Sequence, residues 1–154
     1  VGLVLAAIGI ATAVVQGFFI RPLVRLMGER GALLFGLGAG ALGFAMYGYA
    51  PVGALFLLAV PIQALWGMAS PALQSMMSRR VGITEQGRLQ GAIMSLRGVA
   101  GVVGPAVFAN TFRIGIETSR PIPGLALYLA AALLVLAWLW AFARVPAMTS
   151  APPG

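Results

Sequence analysis

The side chains able to do chemistry in this 154-residue chain are few and of one kind. Cys, His, Asp and Lys are all absent, and the only carboxylates are Glu29, Glu85 and Glu117. That set holds no nucleophile with its base, no close acid–base pair of carboxyls and no metal-ligand cluster. An enzyme is therefore not the expectation, nor a metal site. What remains is amides, hydroxyls and one guanidinium set in apolar sequence. At about 100° per residue, Gln63, Gly67, Ser70 and Gln74 fall within about 60° of one another, with Trp66 beside them. Gln90, Met94, Arg97 and Gly101 share a second face, and Thr12 and Gln16 supply a third. Such groups hydrogen-bond. Two uses fit them equally: lining the path of a ligand through a wet cavity, or bonding helix to helix.

The elements that must position them are long. Leu3–Ile20, Gly31–Tyr49, Val52–Met77, Leu89–Thr111 and Gly124–Ala143 are apolar stretches that hold a single charge, Arg97. A bilayer core is about 30 Å thick, and a helix rising about 1.5 Å per residue needs roughly 20 apolar residues to cross it. Backbone polar groups find no water there, so a spanning segment must satisfy them internally, as a helix does. The expected fold is all-α: a polytopic transmembrane bundle over 1–145, with five spans. Residues 146–154, rich in Pro and small residues, read as a disordered tail.

Composition agrees. Hydrophobic residues make up 60% and charged residues 8%, against about 25% charged in soluble domains. Mean hydropathy is +0.98. The basic residues sit in short connections rather than in a continuous stripe, which argues against a nucleic-acid partner despite the net charge of +7. The implied partner is the lipid bilayer.

The arginines orient the bundle. Arg21, Arg25, Arg30, Arg79, Arg80, Arg88 and Arg144 fall on one side of an alternating five-span path; Arg113 and Arg120 fall on the other. Cytoplasmic loops carry the excess of Lys and Arg, so the first set and the C-terminus are expected in the cytoplasm. Five spans place the two ends on opposite sides, and the chain reads as part of a longer bundle. Arg97, seven residues inside Gln90, is expected about 10 Å from the cytoplasmic end, where it can snorkel or face a cavity.

Small residues mark expected packing faces. Gly36-x-x-x-Gly40 and Ala39-x-x-x-Gly43 bring helix backbones close in lipid, and Gly87, Gly91, Ser95 and Gly98 share a face of the fourth span. Pro61 and Pro71 are expected to kink the third span. The fifth span, with Trp138 and Trp140 near its cytoplasmic end, reads as a peripheral helix with an interfacial aromatic belt.

These residues resemble the C-terminal half of a major facilitator superfamily transporter, most closely the tetracycline-efflux group of drug/proton antiporters. Arg21-Pro-Leu-Val-Arg25-Leu-Met-Gly28-Glu29-Arg30 looks like a degenerate second copy of the superfamily's cytoplasmic loop motif, with Arg25, Gly28 and Arg30 as its marked positions. Ser70-Pro-Ala-Leu-Gln74-Ser-Met-Met-Ser-Arg79 is similar to the end of that group's tenth helix. Glu85-Gln86-Gly87-Arg-Leu-Gln90-Gly91, followed by Gly101-Val-Val-Gly104-Pro105, looks like its loop and eleventh helix. The chain departs from the pattern at Arg21, Arg25 and Arg97.

The resemblance implies that the five spans are helices eight to twelve of twelve. It further implies a small-molecule drug as substrate, an N-terminal half holding helices one to seven as partner, a bacterial inner membrane location and proton coupling. No bound cofactor is implied. The substrate path would hold Gln16, Gln63, Trp66, Ser70, Gln74, Gln90, Met94 and Arg97. Gly36, Gly40, Gly43, Gly91, Gly98, Gly101, Gly104 and Pro105 would serve helix packing. Two alternatives stay open: a truncated or decayed membrane fragment with no transport of its own, and a transporter half for a different small molecule.

The orientation is testable because the chain is free of Cys. Single Cys residues placed beside Arg21, Arg25, Arg79 or Arg80 should resist an impermeant thiol reagent added outside intact cells, and one beside Arg113 should react. Labelling of the Arg79 connection from outside would refute the orientation.

Overall fold

A computed structural model describes residues 2, 9–10, 20–49, 53–118 and 121–145; the side chains of residues 20–23 and 25 are not among those described. The expected first span, with Thr12 and Gln16, lies almost wholly outside the described residues, as does the tail. Within them every regular element is helical, with no strand. Four segments are long and apolar enough to cross a membrane: Leu26–Tyr49, Gly53–Ser78, Ile83–Glu117 and Leu125–Arg144.

Helix α1 runs Ile20–Tyr49, so most of what the sequence suggested as a connection is already helical. Apolarity says where a chain is dry; helix formation follows backbone bonding and propensity, and Leu, Met and Arg favour it. The break comes inside, at Gly28, with φ 70° and ψ 172°. Only glycine takes that backbone without a steric penalty. The chain turns so sharply there that a Cβ on Gly31 would lie 2.8 Å from Met27 Cβ.

Helix α2, Gly53–Leu65, and helix α3, Ala69–Ser78, form one span joined by a 3-10 turn at Trp66–Met68. The sequence suggested kinks at both prolines; the described chain is interrupted once. Pro71 has no N–H to offer the Gly67 carbonyl, and its ring crowds that same carbonyl. The irregular turn falls where that bond is missing, and Pro71 itself sits in the first turn of α3, where proline is tolerated. Pro61 lies within α2.

After a 3-10 turn at Ile83–Glu85, helix α4 runs Gln86–Glu117, beyond both expected ends of 89–111. Its polar C-terminal turns stay helical partly through side chains that bond back one turn: Asn110 to the Ala106 carbonyl at 2.8 Å, Thr111 to Val107 at 2.8 Å and Thr118 to Ile114 at 2.6 Å. Helix α5 is Leu125–Arg144.

Helix α1 is the hub and packs on α2, α3 and α5. The core joins Ala32 and Leu33 to Met68, Ala69, Ala72, Met76 and Ala141. Gly36, Gly40 and Gly43 let the helices approach. A Cβ on Gly36 would lie 3.0 Å from Ala69 N and Cβ; one on Gly40, 2.8 Å from Trp66 Cγ; one on Gly43 would overlap Gln63 Oε1. At the opposite end α1 and α5 nearly touch backbones, since a Cβ on Gly124 would lie 2.7 Å from Gly48 Cα.

Trp138 turns inward. It is half-buried over Gly38, 3.7 Å from where a Cβ would stand, and stacks on Phe142 at 5.5 Å. Gly38 leaves the space that draws the indole inward. Trp140, 69% exposed, faces out.

Helix α4 stands apart. Its main neighbour is α5, clamped by Ile122 N–H donating to the Gly115 carbonyl at 2.7 Å, and Gly115 is its only buried residue among those described. Gly87, Gly91, Gly98, Gly101 and Gly104 meet nothing within 4 Å.

The two glycine sets should therefore answer oppositely to one methyl group. Gly36→Ala should destabilise the bundle by about 1–3 kcal/mol through overpacking against backbone. Gly98→Ala should be neutral or stabilising by up to about 1 kcal/mol, from helix propensity alone. Reversible unfolding in mixed micelles measures both; equal effects would refute this packing scheme.

Candidate functional site

A cleft of about 230 Å³ separates α3 from α4, lined by Ser70, Leu73, Gln74, Met77, Ile93, Leu96 and Arg97. Ser70 and Gln74, four residues apart, share a face of α3; Ile93 and Arg97 do the same on α4. Three of the sequence-derived path residues thus meet in one place: two donor-acceptor groups and a guanidinium over an apolar floor. A drug-sized pocket occupies about 300–1,000 Å³. This cleft suits a functional group and part of a frame, with other walls required for the rest.

The remaining path residues are elsewhere. Gln63 turns to α1 against Gly43, with its Oε1 buried and unbonded. Trp66 packs on Gly40 and meets Phe44 edge-on at 5.6 Å. The intervening turn explains the split. Each 3-10 residue advances about 120° rather than about 100°, so three of them rotate α3 by about 60° relative to α2. Gln90 and Met94 are exposed on α4 and do not line the cleft. Arg97 lies about 16 Å along the axis from the start of α4 at Gln86.

A second constellation went unread in the sequence. Gly28 places two consecutive residues, Glu29 and Arg30, at the start of the next helical stretch, and they reach different helices. Ser75 Oγ donates to Glu29 Oε1 at 2.5 Å, and Arg79 Nη2 lies 3.1 Å from the same oxygen. Arg30 Nη2 donates to the Phe142 carbonyl at 3.2 Å, with its guanidinium carbon 5.8 Å from the Phe142 ring. Phe142 is in the last turn of α5, where carbonyls lack helical partners and the dipole favours a cation. The loop motif's Arg30 is therefore a C-terminal cap of α5, while Glu29 ties α1 to α3. The available signal was the Ser75–Arg79 spacing of four, which puts a hydroxyl and a cation on one helix face near a lone carboxylate. The other end of the bundle carries Arg113, 3.7 Å from Glu117 in an exposed pair.

Long apolar helices packed through glycine, with charges clipped together at one end, define a polytopic helical membrane protein. No protein-family model matches the chain, and no solved structure matches it. It is similar to the class G tetracycline resistance protein of Vibrio anguillarum, with 38% identity over 73% of this chain and 28% of the relative. It is also similar to the class C tetracycline resistance protein of Escherichia coli, with 34% identity over 84% of this chain and 33% of that protein. Hippocampus abundant transcript-like protein 1 of Mus musculus is 31% identical over 70% of this chain and 21% of its own length. The chain belongs to the major facilitator group that contains the tetracycline resistance proteins, and it spans about a third or less of the length of these relatives.

The charged clip gives a ranked expectation. Glu29→Leu strands the Ser75 hydroxyl and Arg79 together and should cost about 1–2 kcal/mol. Arg79→Ala removes a side chain that is 67% exposed and should cost about 1 kcal/mol or less. Unfolding in micelles at low and high salt measures the two; a larger loss for Arg79→Ala would overturn the assignment of Glu29 as the shared acceptor.

Proposed function

We propose that the chain is helices eight to twelve of a secondary transporter that exports tetracycline or a similar drug across the bacterial inner membrane. The observation that carries the reading is the similarity to tetracycline resistance proteins across most of the chain. The cleft between α3 and α4 supports it, since a transporter half should offer some polar groups to one wall of a midplane cavity, and Ser70, Gln74 and Arg97 lie among its apolar lining. Ser70, Gln74 and Arg97 contact the drug in this reading, and Gln63 and Trp66 hold the bent span to α1. The end carrying Glu29, Arg30, Arg79 and Arg144 faces the cytoplasm, as the arginine bias requires. The glycines of α4 that meet nothing here pack on the N-terminal half.

No carboxylate of this chain lies in the apolar core of a span, and Arg stays charged. Proton coupling therefore falls to residues of the other half, and this chain alone should not export drug.

Expression of the chain alone in drug-sensitive cells should leave intracellular tetracycline unchanged, while a complete gene with seven further helices upstream should lower it in an energy-dependent way. In that complete protein Gln74→Leu should raise the transport KM about fivefold, the worth of one neutral hydrogen bond of about 1 kcal/mol. Gln63→Leu should transport normally. Energy-dependent efflux by the chain alone would sink the division of labour. A complete protein that expresses and moves no drug would favour the decayed fragment or a different cargo.

A further inference from the structure

Arg97 forms no ion pair with a glutamate among the described residues. The sequence contains three carboxylate side chains, and the structure accounts for each. Glu29 is held by Ser75 and Arg79, and Glu117 lies beside Arg113. Glu85 precedes α4 by one position, about 18 Å along the helix axis from Arg97. Among the described residues Arg97 makes no hydrogen bond or ion pair, although it sits well inside a membrane-spanning helix. A guanidinium at that depth is costly unless it meets water or an anion. Two more donors line the same cleft, the Ser70 hydroxyl and the Gln74 amide, and the remaining lining is Leu73, Met77, Ile93 and Leu96.

We infer that the cleft between α3 and α4 receives the anionic oxygen group of a small molecule with an apolar frame, Arg97 serving as its counter-ion and Ser70 and Gln74 as further donors. The inference rests on the transporter reading and narrows its cargo: the part of the molecule entering this cleft is a carboxylate, enolate or sulfonate. Arginine suits the role because its planar fork offers two parallel N–H groups to two oxygens of one acid. Arg97, Ser70 and Gln74 all border the cleft, while the apolar residues take the first carbons of the frame. The cleft volume matches a headgroup with part of a ring system, not an entire drug.

Two probes that share an aromatic frame and differ in charge separate this from simple apolar binding. They are 1-anilinonaphthalene-8-sulfonate and the neutral N-phenyl-1-naphthylamine. With the chain in nanodiscs of zwitterionic lipid, and empty discs subtracted, the sulfonate should bind at least tenfold more tightly than the neutral probe. Arg97→Gln should erase that preference and leave the neutral probe unchanged, a loss of about tenfold or more being usual for a charge-assisted bond. Arg97→Lys should keep part of the preference. Arg88→Gln, which alters net charge equally but lies outside the cleft, should keep all of it. The inference is overturned if Arg97→Gln leaves the preference intact, if it weakens both probes alike, or if Arg88→Gln abolishes it. It is also overturned if the wild-type chain shows no preference, in which case the counter-ion of Arg97 is an acidic side chain from outside this chain. Failure of the efflux reading shows separately, as loss of drug export by the complete protein while the probe preference persists.

Discussion

Everything in this bundle depends on how closely α1 can be approached. In lipid, apolar side chains gain little by leaving one apolar neighbour for another, so helices associate where backbones come near and dispersion contacts multiply. Helix α1 provides that along its length. Gly36, Gly40 and Gly43 open one face to Ala69, Trp66 and Gln63, and Gly38 and Gly48 open another to Trp138 and Tyr128. The core residues that pack there are mostly alanine and methionine, small or adaptable. Lengthen the side chains on either face and the bent span and α5 lose their common support.

Two punctuation points turn this packed core into something with distinct ends and faces. Gly28 breaks α1 with a left-handed backbone, so that Glu29 and Arg30 reach α3 and α5 respectively. Pro71 withdraws one hydrogen bond from the third span, and the 3-10 turn beside it rotates α3 relative to α2. The upper half of that span therefore grips α1 through Gln63 and Trp66, while the lower half turns Ser70 and Gln74 to α4. One defect in backbone bonding divides a continuous polar stripe between structure and binding.

Helix α4 shows the opposite condition. It is held at one end by Gly115 and Ile122, and the rest of its length, with five glycines and a deep guanidinium, has little beside it. A helix that is small-faced, polar in places and uncovered is poorly suited to lipid on every side. The aligned part of this chain covers only 28% and 33% of two tetracycline resistance proteins to which it is similar, so there is ample further structure in such proteins to cover a helix of this kind.

Residue order alone was enough for the class of fold, for four of the helical spans with modest errors at their ends, and for the scarcity of titratable side chains. Those properties derive from apolar length and residue type, which are local. It also marked Gly36, Gly40 and Gly43, whose spacing alone puts them on one helix face. It misjudged where helices begin, because hydropathy ends at the first charges and backbone bonding does not. It treated Gln63, Trp66, Ser70 and Gln74 as one stripe, since uniform rotation along a helix cannot register a 3-10 turn. Three-dimensional packing was needed to bring Ser70, Gln74 and Arg97 into one cleft, to turn Trp138 inward, and to make Glu29 and Arg30 join three helices. Each of those depends on which residues distant in the chain come within a few ångströms, and that is settled by the packing of whole helices.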